Sequence, residues 1–285
     1  MYFSKYLKIL RFHKTYIFYA FAYGLSTLVI PLGTQFLVNN LALAGIWANT
    51  VSFLTIIAVI IALCQVFRHS LVILNEYLQR EIFVNEIKKW RHLQHKENSH
   101  YYFEIYTLLK SFAKSYPDLI DMSLVSIFGL CTLVIFHPAF IVLPIVMGLT
   151  VWTIKRNFRP AYESSILESN VKYAIYDEIS NGKGPLQSIT YDYLAARHVH
   201  FNYVRKHSFK MSALFAFCIF YVLGIGSYLI NASQLSVGQL VAAELIVSGI
   251  MGSLVKLPDT LESLYDFETS YYKIQKALRG LVEGH

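Results

Sequence analysis

Residues 236–257 read SVGQLVAAELIVSGIMGSLVKL, and Glu244 is the only charge in them before Lys256. At about 1.5 Å per residue the stretch makes a helix of roughly 33 Å, close to one bilayer core. This is a membrane span. A carboxylate in the middle of a span costs a few kcal/mol or more against lipid, so Glu244 is expected to face a protein or water-lined interior. Two readings stay open for it: a place on a substrate pathway, or a hydrogen-bonding contact that fixes helix packing.

The same logic extends outward. Residues 15–67 and 122–154 contain no Asp, Glu, Lys or Arg, and residues 211–255 contain only Glu244. Each stretch is long enough to cross twice, which predicts six spans: about 16–38, one starting near 50, 119–136, 139–154, 212–229 and 236–257. A chain that is 55% apolar with mean hydropathy +0.44 belongs to the membrane class, with the lipid bilayer as its first partner. The turns expected between paired spans, at 39–49, 136–140 and 230–236, carry none of the 25 basic residues. The positive-inside rule then puts both termini and the two long polar loops in the cytoplasm. The net charge of +7 is assigned to inner-leaflet lipid, not to nucleic acid.

Those two loops, 68–121 and 155–210, are nearly equal in length. The first has no Gly and no Pro before Pro117, and the second has one breaker cluster, NGKGP, at 181–185. Each is predicted to be a pair of helices meeting at a cytoplasmic tip. Residues 1–14 are expected to form an amphipathic interfacial helix, 15–257 the six-span domain, and 258–285 a helical cytoplasmic tail. A kink is expected at Pro31 and Gly33. Three further polar residues are pathway candidates: Gln35 and Asn39, at a cavity mouth or as interfacial caps, and Arg68, on the pathway or snorkelling to lipid phosphate. Cys64, Cys131 and Cys218 all fall in spans and predict no disulfide. His92 and His95 lack a third ligand nearby, so no metal site is expected.

Three local sequences recur in an order and spacing that resemble a known family. LSVGQLV at 235–241 leads into the last span and then LPDTLESLYDFETSYYKIQKAL; DEISNGKGPLQSITYDYLA occupies 177–195; an aromatic run, Tyr101, Tyr102 and Phe103, marks the first tip. Together they resemble the transmembrane domain of exporter-type ABC transporters. The resemblance implies an all-α membrane fold of six transmembrane helices with two long helical cytoplasmic loops, assembled as a domain-swapped homodimer or heterodimer. It implies that the loop tips dock on ATPase domains, through Tyr101, Tyr102 and Phe103 in the first loop and Glu178, Gly182 and Lys183 in the second. LSVGQ is similar to the family's LSGGQ nucleotide signature, but Val237 replaces a Gly and the run opens a span, so it is not read as a nucleotide site.

The sequence has no G-x-x-x-x-G-K-[ST] phosphate loop, so no cofactor and no enzymatic activity are expected of this chain. ATP and Mg²⁺ are expected on a separate ABC ATPase subunit. The resulting expectation is a permease subunit of an ATP-driven exporter in a bacterial inner membrane, working by alternating access; a periplasmic adaptor is a further partner the family allows. The alternative is a non-transporting interaction or regulatory protein that reuses the bundle.

Overall fold

The computed structural model describes residues 10–43, 47–90, 99–181 and 186–282, and these are helical with no strand among them. In chain order the helices are α1 (His13–Ser26), α2 (Val29–Leu43), α3 (Trp47–Trp90), α4 (Ser99–Phe136), α5 (Val142–Arg156), α6 (Phe158–Asn181), α7 (Leu186–Asn231), α8 (Val237–Leu254) and α9 (Leu257–Val282). A short 3₁₀ turn, Pro138–Ile141, joins α4 to α5, and the His137 ring accepts the Ala139 N–H at its start. Six segments are long and apolar enough to cross a membrane. The chain is built as an integral membrane protein.

Length explains the shape of the two hairpins. Helices α3, α4 and α7 hold 44, 38 and 46 residues. At about 1.5 Å per residue they run roughly 57–69 Å, twice the hydrocarbon thickness. Only the uncharged half of each fits in the bilayer, and the charged half projects beyond it. The expected pairs of helices are present, as α3–α4 and α6–α7. Their tips, 91–98 and 182–185, lie outside the described residues, as does the expected interfacial helix except for its last positions.

Prolines decide where helices break. The sequence reading put a kink at Pro31; the chain instead breaks four residues earlier, at Thr27 and Leu28, between α1 and α2. Pro31 has no N–H for the Thr27 carbonyl and its ring crowds that carbonyl, so the interruption falls on the preceding turn. Pro258 acts likewise on Leu254, which separates α8 from α9 and leaves Val255 and Lys256 in the break. Among the described residues, Pro117 alone lies beyond the first turn of its helix, in the middle of α4.

The core follows α9. Its buried Leu264, Phe267 and Ile274 share a cluster with Leu108, Phe112 and Tyr116 of the polar half of α4. Phe112 and Phe267 lie 6.1 Å apart. On another side α9 meets the α6–α7 hairpin: Tyr265 is 5.0 Å from the Phe158 ring and 6.0 Å from His200. Arg197 of α7 pairs with Glu168 of α6 at 3.0 Å and Glu262 of α9 at 3.4 Å. Lys273 of α9 pairs with Glu104 of α4 at 3.3 Å and donates to Ser169 of α6 at 2.6 Å. Burial lowers the Lys273 ammonium, while Glu104 pulls it back up. One α9 side chain thus ties the two hairpins together. By contrast, the most apolar window of α3 has no buried residue and presents Ile56, Val59 and Leu63 outward.

Candidate functional site

Where the spans meet the polar halves, α1, α3, α4 and the α8–α9 break enclose a cavity of about 380 Å³. Tyr16 and Tyr23 enter from α1, Arg68 and Asn75 from α3, Asp118 and Asp121 from α4, and Lys256 from the break. Each of Arg68, Asp121 and Lys256 borders an uncharged stretch of sequence. All three therefore lie at one depth, and bundling the helices brings them together.

Local chemistry holds this vestibule open. Because Pro117 lacks an N–H, the Ala113 carbonyl loses its helical donor, and Asn75 Nδ2 supplies one from α3 at 3.1 Å. The Asn75 Oδ1 atom is left buried without a hydrogen-bond partner among the described residues. The Thr260 hydroxyl shares its one hydrogen between the Lys256 carbonyl at 3.0 Å and Asp118 Oδ2 at 3.2 Å, which sets the carboxylate beside α9. The wall on the α1 side is aromatic: Tyr16 packs at a tilt against Tyr116 of α4 behind it, ring centres 4.7 Å apart, and the Tyr116 hydroxyl lies 2.8 Å from His13 Nδ1. Lys256 and Arg68 both act on the Asp121 charge, opposed by Asp118. Yet among the described residues no ion pair within 4 Å joins either cation to either carboxylate. The four charges surround a space instead of closing it.

A second cavity, of about 190 Å³, continues along α1, α4 and α8, and shares Tyr23 and Asp121 with the first as a common wall. Its lining is mostly apolar, with Leu28, Pro31, Val125, Leu245 and Ile250, and it runs past the break in α1–α2. Irregular backbone at membrane depth is tolerated where it lines a cavity or is covered by protein. A third cavity, about 510 Å³, lies at the far end between Asn39 and the α7–α8 turn.

Of the sequence candidates, Arg68 lines the vestibule. Asn39 lines the far cavity and takes the capping role that the sequence left open: its Oδ1 accepts the Gly238 N–H at 3.1 Å and its Nδ2 donates to Ser236 Oγ at 3.2 Å. It caps the start of α8 across the bundle, beside a Ser236–Gln239 capping box. Gln35 reaches the same junction through its backbone carbonyl, 2.5 Å from where a Cβ on residue 238 would stand. The sequence asks Glu244 to face a protein or water-lined interior. Within the chain it is exposed, on the same side of α8 as Leu245, Gly249 and Gly252, because Ala243, Ile246, Val247 and Ile250 take the buried face.

At the first tip Phe103 is 66% exposed and its neighbour Tyr106 65%, whereas Tyr101 and Tyr102 have side chains outside the described set. Glu178 is half-buried, with Oε2 enclosed and without a partner among the described residues. Gly182 and Lys183 fall outside the described residues. Sequence reasoning missed Tyr16, Tyr23, Asn75, Asp118, Asp121 and Lys256. For Asp121 and Lys256 the visible signal is position at the ends of uncharged stretches, which alone reads as the membrane boundary; Tyr23 lies inside such a stretch and Asn75 beyond one. No protein-family model matches the chain, and neither does any curated protein.

Proposed function

We propose that the chain is the permease of an exporter-type ABC transporter, working as a dimer and driven by an ATPase outside residues 1–285. The observation that carries this reading is the continuity of the levers. Helix α3 runs unbroken from Trp47 through Arg68 and Asn75 to Trp90, and α4 runs from Ser99 through Asp118 and Asp121 to Phe136. A displacement at the tip of that hairpin is therefore delivered to the charged vestibule by the same two helices. Such rigid-body movement is what alternating access requires.

Glu244 supports the dimer. An exposed carboxylate amid an apolar helix costs several kcal/mol if it meets lipid, and a second membrane subunit, or a water-lined path between two, removes that cost. The exposed Phe103 and Tyr106 supply an aromatic anchor for the ATPase. In this reading ATP and Mg²⁺ bind the ATPase, the tips lie in the cytoplasm, and the host membrane is a bacterial inner membrane.

Purification in mild detergent, followed by mass spectrometry of stoichiometric partners, tests the proposal. A copurifying protein with a phosphate loop and an LSGGQ signature, whose ATP hydrolysis rises when the chain is added, is the expected result. A chain that stays free of any ATPase across a range of salt concentrations would overturn it in favour of a motor-free interaction protein.

A further inference from the structure

Beside one another, the two inner cavities make a composite surface. The first offers two carboxylates, Asp118 and Asp121, two cations, Arg68 and Lys256, and two phenol rings, none of the four charges closing an ion pair with another in the set. The second is mostly apolar and begins at the Tyr23–Asp121 wall where the first ends. Val72, on the rim of the first, is 64% exposed, so the charged cavity opens sideways on the α3 flank.

We propose that this pair of cavities binds a zwitterionic amphiphile, an ammonium-bearing phospholipid, with its headgroup among the four charges and the upper part of a tail along α8. The inference rests on the permease reading and names its substrate class. An ammonium matches Asp121 and Asp118, with the faces of Tyr16 and Tyr23 beside it. A phosphate matches Arg68 and Lys256 and the phenol hydroxyls. An anionic lipid satisfies the cations but leaves two carboxylates facing it. The carboxylates therefore select the headgroup. The apolar cavity separates a whole lipid from its soluble headgroup, because only the lipid gains by filling it.

Native mass spectrometry of the full chain in detergent, titrated in parallel with dioleoyl-phosphatidylethanolamine, dioleoyl-phosphatidylglycerol and soluble glycerophosphoethanolamine, tests this without any ATPase. Phosphatidylethanolamine is expected to bind at least tenfold tighter than either competitor. Asp121→Asn removes the preference over phosphatidylglycerol, and Arg68→Gln weakens both lipids. Gly249→Leu provides a variant that leaves the charges alone: a Cβ at 249 meets nothing within 4 Å, and the longer side chain fills the apolar cavity. It should weaken phosphatidylethanolamine severalfold with an unchanged melting midpoint. Equal binding of the two lipids overturns the headgroup assignment, and a soluble headgroup as tight as the lipid overturns the tail assignment. Full binding by folded Asp121→Asn and Gly249→Leu overturns the site itself. An ATPase-coupled chain without the preference would defeat this inference alone; the preference in a chain with no ATPase would defeat the permease reading alone.

Discussion

Pro117 leaves the Ala113 carbonyl without its helical donor, and Asn75 supplies one from 38 residues earlier. Removing that amide strands a carbonyl against protein, a loss of about 1–3 kcal/mol. Asn75→Ala is therefore expected to lower the melting midpoint in detergent. Pro117→Ala restores a backbone N–H to the same carbonyl, so the double variant should recover most of the loss. Strictly additive effects in that cycle would show that the two residues do not share the carbonyl. Neither partner advertises the pairing in sequence. Asn75 reads as one more polar residue on a projecting helix, and Pro117 as the end of a loop, because the link runs between helices.

Among elements, α2 and α8 cross at close range at Gly238. A Cβ added at Gly238 would lie 2.4 Å from Asn39 Oδ1, held by the cap, and 2.5 Å from the Gln35 carbonyl, held in the α2 backbone. Gly238→Ala must push the helices apart and should cost about 1–3 kcal/mol. Gly252, on the same helix, would gain a Cβ with nothing within 4 Å, so Gly252→Ala should match the parent or exceed it by up to about 1 kcal/mol in the same melt. The docking of α9 on the other hairpin carries a pH signature. More than a third of Asp266 is exposed, but the atoms packed about its carboxyl remove enough water to raise it. Glu262 on α9 and Glu168 on α6 add to the rise, while Lys172 and Arg197 oppose it, and the result is about 6 against the usual 3.8. The folded chain therefore holds an extra proton between those values. Stability contributed by this group falls as pH climbs from 3.8 through 6 and stays lower above it. Asp266→Asn should raise the melting midpoint at pH 7.5 and lose that advantage near pH 4. An equal gain at both would place the effect elsewhere.

For the whole molecule, the two hairpins and α9 form one polar body beneath the spans, tied through Lys273, Glu104 and Ser169. Phe103 stands clear of that body at 66% exposure, so Phe103→Ala should melt within about 0.5 kcal/mol of the parent while abolishing stimulation of the partner ATPase. Unchanged stimulation would remove the aromatic tip from the coupling contact. The sequence by itself determined the six crossings and the two projecting hairpins. Those features are local: an uncharged stretch of sufficient length must be buried in lipid, and a helical stretch without breakers must continue. It also marked Arg68, as a pathway candidate or a side chain snorkelling at the membrane edge. Tertiary structure alone decided that Arg68, Asp118, Asp121 and Lys256 share a vestibule, since their meeting depends on how α3, α4 and the α8–α9 break pack. It also chose, of the two roles the sequence left open for Asn39, the cap, gave it α8 as its partner, and left Glu244 outside its own chain. Which face a helix buries is set by the neighbours across the bundle, and the composition of α8, apolar on nearly every side, does not record who they are.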